Sequence, residues 1–568
     1  MGSPLLLGPM LRYVDETSAS IWVETRAACR VSVVAGGRSW HARSFAVHGH
    51  HYALVEVDGL EPGAELPYEV RVDHVTVWPE AGSEFPASLI STRPPGRPLR
   101  MAYGSCRTSV PHDGRGNRSH GVDALRAFAL AVAAGQQEPP DLLMFLGDQV
   151  YADSTSAEMQ DFIRSRRDIH EEPGRELKDY EEYAHLYQLA WSDEANRWLL
   201  SCVPCAMIFD DHDIRDDWNA SLDWRRKMQA TSWWHGRIVA GLGSYWVYQH
   251  LGNLSPAERA EDEVWRRIAG HDGPDELDLT EALDALADRS DRDPTSYRWS
   301  YSRDLDDVRL VVVDSRVSRN LAPSARQLLD AEELAWFDDR MRGGFRHVLI
   351  ASSLPFLLPI GLHHLEAWDE ALAQGAWGRA AAWLGERLRQ AVDLEHWAAF
   401  QQSFQAVARI VTELADGDRG VAPQTVTILS GDVHYSYFSE VERGSGGRIV
   451  QAVCSPVRNP LPRLLRWFAV VMSYGVATPI GAAAARSVKV PDPPFSWKTV
   501  KGPWFDNNLA LLRDGPDGLI FTWHRGVVDH GDELHPRLEE VASVHVPSER
   551  DAGIRSGSGQ GTSASGAA

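Results

Sequence analysis

The stretch Leu142-Leu143-Met144-Phe145-Leu146-Gly147-Asp148-Gln149-Val150-Tyr151 sets an unbroken apolar run of strand length against a glycine and an aspartate. A run with no polar face to offer water reads as a strand buried on both sides of its sheet. The glycine lets the backbone turn sharply. The aspartate then stands at the strand mouth with both oxygens available. One carboxylate so placed can bridge two cations about 3.5–4 Å apart, the spacing used for in-line phosphoryl displacement. Taken alone, a strand ending in Gly-Asp is only a turn.

The pattern recurs, and the recurrence gives it weight. Leu99 to Tyr103 leads into Gly104-Ser105-Cys106, and Ala206 to Phe209 into Asp210-Asp211-His212-Asp213. Leu310 to Val313 leads into Asp314-Ser315-Arg316, and Val426 to Leu429 into Ser430-Gly431-Asp432-Val433-His434. Sites of α/β proteins lie at the carboxyl ends of such strands, so ligands hundreds of residues apart can converge. Helical stretches are expected between them, at Asp123 to Ala134, Tyr180 to Leu200, Trp224 to Leu251 and Ala376 to Leu414. Their aromatic stripes read as packing. The fold class is α/β.

Upstream, residues 1–95 read as an all-β domain. Short alternating runs such as Ser20 to Glu24, Arg30 to Val34, Tyr52 to Val57 and Tyr68 to Val72 are separated by Gly and Pro turns, the pattern of a sandwich. Gly59-Leu60-Glu61-Pro62-Gly63 before Tyr68 resembles the fibronectin- and Ig-like corner in which a tyrosine hydroxyl pins its own turn. Arg93-Pro94-Pro95-Gly96-Arg97-Pro98 marks the boundary. The catalytic domain is expected over 99–545, with an acidic peripheral insertion at about 252–296 and a low-complexity tail over 548–568.

With 57 Lys and Arg against 79 Asp and Glu, the formal charge of the 568 residues is −22. That balance argues against nucleic acid, whose phosphates need clustered cations. It leaves room for a phosphorylated small molecule, because carboxylate-held cations supply local positive charge. Five cysteines are no disulfide framework, and Cys202-Val203-Pro204-Cys205 reads as two buried thiols rather than a redox pair. The first residues show no basic segment or twin arginine, so a cytoplasmic location is expected. Trp467 to Ala485 carries no charge and is long enough to span a bilayer. Its proline and small residues favour a buried helix or lid over membrane contact.

Residues from about 100 to 530 resemble the alkaline phosphatase D (PhoD-like) branch of the calcineurin-like metallophosphoesterases. The matching segments are Gly104-Ser105-Cys106, Gly147 to Asp153, Asp210-Asp211-His212-Asp213 with Asp216-Asp217-Trp218, and Gly431-Asp432-Val433-His434. The β domain in front also suits that family. The resemblance implies that Cys106 binds a metal as thiolate and that Asp148 bridges. It implies that Tyr151 binds as phenolate, which favours ferric iron (Fe3+) as the hard, highly charged partner. Asp432 and His434 would hold calcium or another divalent metal, with Asp211 or Asp216 completing the set. Asp216 departs from the asparagine common at that position, adding negative charge. His212 is expected to orient a ligand, and Arg107 and Arg458 to clamp phosphate oxygens. His120 and His363-His364 are weaker candidates for phosphate or proton handling.

The implied reaction is hydrolysis of a phosphate monoester by a metal-generated hydroxide. A phosphodiesterase or phospholipase-type hydrolase with the same centre is the alternative within enzymes. A non-catalytic binding protein is the alternative outside them.

Overall fold

The computed structural model describes residues 3–323, 325–391, 394–462, 466, 477–529 and 531–548. Leu142–Leu146 is a strand buried at every position. Leu142, Met144 and Leu146 face a second sheet, while Leu143 and Phe145 face helices. This double burial is why the run carries no polar residue. Each such side chain taken from water contributes about 1.5–3 kcal/mol.

Two sheets stack face to face. The first runs in the order Cys205–Ile208, Leu142–Leu146, Arg100–Gly104, Leu509–Gly515, Gly518–Val527 and Arg537–Pro547. Its first three strands are parallel, and the last three, which the sequence analysis did not anticipate, extend it antiparallel. The second runs Tyr301–Leu305, Val308–Val313, His347–Ser352, Thr425–Ser430, Arg448–Val453, Ser436–Val441 and Trp497–Trp504. Met101, Tyr103, Leu310, Val312, Leu349 and Leu429 fill the space between them. Helices such as Ala124–Ala133, Tyr180–Trp191 and Trp234–Tyr245 cover the first sheet, and Ala331–Arg340 and Gln401–Asp416 the second. The α/β assignment holds, as a four-layer sandwich.

The helical stretches are more broken than their periodicity suggests. Asp193 caps a new helix by accepting from the Asn196 N–H at 3.0 Å, splitting Tyr180 to Leu200 in two. Ala376 to Leu414 is interrupted around Glu395-His396, between helices Arg379–Ala391 and Gln401–Asp416.

The N-terminal unit is β-rich. One sheet holds Leu5–Val14, Ala19–Thr25, His50–Val57 and Phe45–Val47, and the other holds Arg38–Arg43, Arg30–Ala35, Glu65–Val72 and Val75–Trp78. Ile21, Val23, Val33, Val55 and Val70 pack between them. The other face of the first sheet, with Leu7, Met10, Trp22, Tyr52 and Leu54, joins the helical core of the following unit. Residues 252–296 are tied to the N-terminal unit. Leu277–Asp278 pairs in parallel with Phe45 and Ala46, completing the N-terminal sheet, and Asn253 is wholly buried. Tyr68 does not pin its own corner; its hydroxyl crosses to the Ser201 carbonyl at 2.8 Å.

Of the uncharged stretch, 467–476 lies outside the described residues, as do 549–568 of the tail. Ala477–Ser487 is a helix against Ile360–Ala373. Among the described residues no helix is long and apolar enough to cross a membrane. Cys202 and Cys205 are free thiols, and Cys205 donates to the Leu11 carbonyl at 3.4 Å.

Candidate metal centre

The loops leaving five strand ends meet at one edge of the two sheets. Four of the expected ligands, Cys106, Asp148, Asp432 and His434, have φ of 58°, 50°, 64° and 56°. Left-handed backbone is uncommon for residues other than glycine and clusters at functional sites, where surrounding structure holds it. Close packing does so here. A Cβ on Gly147 would stand 2.6 Å from the Asp210 Cβ, and one on Gly431 only 2.1 Å from the Ser105 Oγ. The strand mouths can approach this closely only with glycine at both positions.

Three groups of side chains bring ligand atoms within 4.8 Å of one another: Cys106, Asp148 and His434; Asp148, Asp211 and His212; and Asp148, Asp210, Asp211 and Asp432. Asp148 belongs to all three. The Cys106 thiol donates to Asp148 Oδ2 at 3.3 Å and accepts from Ser455 Oγ at 3.3 Å. The Tyr151 hydroxyl donates to Asp148 Oδ2 at 3.4 Å, and its ring lies 4.7 Å from that of His212. Asp210, which was not among the expected ligands, stands with Asp211 in the cluster.

The electrostatics ask for cations. Burial, with Asp210, Asp211 and Asp213 adding to it and His212 opposing, holds the Asp148 carboxyl well above the usual carboxylate range. Burial and then Asp148 raise the Cys106 thiol, and burial, Cys106 and Asp148 raise the Tyr151 phenol. Buried acids in this number ionise together only around bound positive charge. Burial pushes His434 down to about 4, so it is a neutral imidazole with a lone pair to give. Asp148 Oδ1 and Asp210 Oδ2 are buried with no hydrogen-bond partner, lone pairs left for a ligand. The donor set of thiol, phenol, carboxylates and imidazole fits a metal centre.

Around this set runs a frame that the sequence analysis missed. Arg316, wholly buried, pairs with Asp210 through Nε, with Asp211 at 3.2 Å and with Glu395. His396 Nε2 meets Asp432 Oδ2 at 2.9 Å, and its Nδ1 meets Glu366 at 2.7 Å. Burial would raise Asp432, but His396 and Arg316 hold it down at about 2. His212 Nδ1 lies 2.9 Å from Asp153. Burial would lower this imidazole; Asp153 and Asp211 outweigh it and keep the pKa well above the ordinary value. Arg316 had a signal, as the end of the run Leu310 to Val313. Glu395 and His396 had none, because they fall inside a stretch read as one helix.

Three expected site residues are placed elsewhere. Arg107 donates to Asp123 at 3.0 Å and to the Ala190 carbonyl at 2.6 Å. Arg458 donates to the Pro111 carbonyl at 2.9 Å and to Asn117 Oδ1 at 3.2 Å. Both guanidiniums are engaged in fixing the loop that carries Cys106. Asp216 stands outside all three groups, its side chain 60% exposed and 3.8 Å from His212 Nε2. The short 3-10 turn Asp211–Asp213 carries the chain past the cluster before Asp216 is reached. His363 is packed against Phe404 and Trp497, away from the centre.

The model of the PhoD-like phosphatases matches residues 123–462, more than half of the chain. The chain belongs to the PhoD-like phosphatase family. It is therefore a phosphoric ester hydrolase. A solved structure described as that of PhoD is 14% identical, with a TM-score of 0.58, over 97% of this chain and 91% of that one. That likeness bears on fold alone. A weaker one, 7% identical with a TM-score of 0.32 over 80% and 89%, is to GAP50, described as the anchor in the inner membrane complex of Plasmodium. Residues 2–90 match a family described as a domain of unknown function. No curated protein sequence matches the chain.

Proposed function

We propose that this phosphatase hydrolyses small phosphate monoesters at a centre holding two or more metals, with Asp148 as the bridging ligand. The observation that carries the reading is the sharing of Asp148 among all three ligand groups, with Oδ1 buried and unbonded. Cys106, Tyr151 and His434 would hold one side, and Asp210, Asp211 and Asp432 the other. When bound, the metals would supply Lewis acidity and a water acidic enough to lose its proton near neutrality. Thiol and phenol donors favour ferric iron on the first side, and oxygen donors favour calcium or another divalent ion on the second.

The remaining roles belong to the protein. Ser105 and Ser455 aim the Cys106 sulfur, at 3.2 and 3.3 Å. His396, backed by Glu366, fixes the rotamer of Asp432. His212, held by Asp153 at Nδ1, has Nε2 left to give a proton to the departing alkoxide.

The test is Asp148→Asn. Turnover of p-nitrophenyl phosphate is expected to fall to background with the circular dichroism spectrum unchanged, and retained turnover would remove the bridging role. Bis(p-nitrophenyl) phosphate and a phospholipid, assayed on the wild type, separate the monoester reading from the diester and lipid ones. A visible band in the iron-loaded protein that disappears in Tyr151→Phe supports the phenolate.

A further inference from the structure

None of the candidate ligands lies in the N-terminal β unit, yet one of its side chains reaches toward them. Arg12, on the strand Leu5–Val14, is wholly buried. Its guanidinium leaves the unit, with Nη1 donating to the Tyr248 carbonyl at 2.7 Å and Nη2 to the Gln249 carbonyl at 2.6 Å. Those carbonyls belong to an irregular segment. The helix Trp234–Tyr245 widens at Trp246–His250 into a π turn, closed by the Leu251 N–H on the Trp246 carbonyl at 2.8 Å. The turn stands at the C-terminal end of that helix, where the chain leaves helical geometry. The fit around Arg12 is close, since a Cβ on Gly252 would stand 2.5 Å from its Cζ.

The same turn is gripped a second time. The Tyr248 hydroxyl donates to Glu24 of the β unit at 3.1 Å and lies 3.0 Å from that of Tyr52. Its ring stacks on Tyr187 at 4.1 Å. The next residue faces the metal centre. Gln249 Nε2 donates to the Tyr187 hydroxyl at 3.0 Å and to Asp213 Oδ1 at 3.3 Å. Asp213 Oδ2 in turn accepts the backbone N–H groups of Asp148 and Asp210, both at 2.9 Å. Every member of this chain of contacts is buried.

We infer that Arg12 and Gln249 are positioning residues, through which the N-terminal β unit sets the placement of Asp148 and Asp210. The assignment gives that unit a role in the reaction without any contact with substrate. It rests on the proposed metal centre. Groups that orient ligands through a hydrogen bond typically govern about 10- to 100-fold in activity or metal affinity.

A double-mutant cycle of Arg12→Met and Gln249→Leu tests the inference. It is read as kcat and KM on p-nitrophenyl phosphate and as Co2+ affinity by chelator competition. Each single variant is expected to lower kcat about tenfold with little change in KM. The double variant should do no worse than the poorer single one, because both cut one chain of contacts. Arg12→Lys should recover part of the loss. Wild-type kcat and Co2+ affinity in Gln249→Leu, or losses that multiply to about a hundredfold in the double variant, would overturn it. If Arg12→Met does not fold, Tyr248→Phe, which removes only the grip of Glu24 and Tyr52, takes its place in the cycle. A wild type that binds Co2+ and cleaves no ester would refute the proposed activity alone, and the affinity cycle would still decide the inference.

Discussion

The two sheets deliver opposite kinds of side to the metal centre. From the first sheet come Asp148, Asp210 and Asp211, acids crowded together and raised by burial. From the second come Asp432, held ionised at about 2, and neutral His434. The first side is balanced by one guanidinium that touches Asp210, Asp211 and Glu395. The second is trimmed mainly by an imidazole, His396, between Asp432 and Glu366, with Arg316 adding to it. The difference separates two tasks. Arg316 makes the acidic side foldable before any cation arrives, whereas His396 mainly aims a ligand.

That division can be broken in order of size. Arg316→Met strips the partner from three buried carboxylates, and removing one member of a buried ion pair costs about 3–5 kcal/mol. Urea unfolding without metal should register a loss of that order, and Arg316→Lys should not restore it, because one ammonium cannot span three acids. A loss below about 1 kcal/mol would show that the acids are folded in their neutral form. His396→Gln keeps a donor but loses the imidazole bridge to Glu366. Metal affinity or kcat is expected to fall about 10- to 100-fold, with a smaller loss of stability than in Arg316→Met. A large stability loss with wild-type kcat would reverse the two assignments.

The last effect, absent at neutral pH, lies outside the centre and serves as its control. Burial pushes His363 down to about 3, so in the folded protein it stays neutral where an unfolded chain would protonate. Its folded pKa is depressed, so its contribution is complete above about pH 6.5 and is lost as pH falls toward 3, at about 1.4 kcal/mol per pH unit. His363→Phe should flatten the acid limb of stability by that slope and leave kcat unchanged. An unaltered acid limb would place the sensitivity in the carboxylates instead.

How much of this was legible in the sequence depended on whether a residue follows a recognisable run. Asp148, Asp211, Asp432, His434 and Cys106 end apolar strands, and strand ends converge whatever the intervening length. Adjacency to a ligand says nothing of side-chain direction, and Arg107 and Arg458 each turn into the loop they stabilise. Asp216 was misplaced for a related reason, since a tight turn carries it outward. His396 and Gln249 act from helical segments with irregular backbone, and hydrophobic periodicity does not register a break or a π turn. The tyrosine corner was not legible because the Tyr68 hydroxyl donates to Ser201, far from its own turn in sequence.

The short strand Leu277–Asp278 carries a consequence for anyone who would cut the molecule. It leaves the second unit to finish a sheet of the first, while Arg12 and Tyr68 reach the other way. The covalent link at residues 93–98 is thus not what joins the halves, and scissors applied there would trim neither half to a finished surface. One piece would lose an edge strand, and the other would expose the face built to receive Trp22, Tyr52 and Leu54. The two units finish each other's surfaces, and the piece to express is the pair.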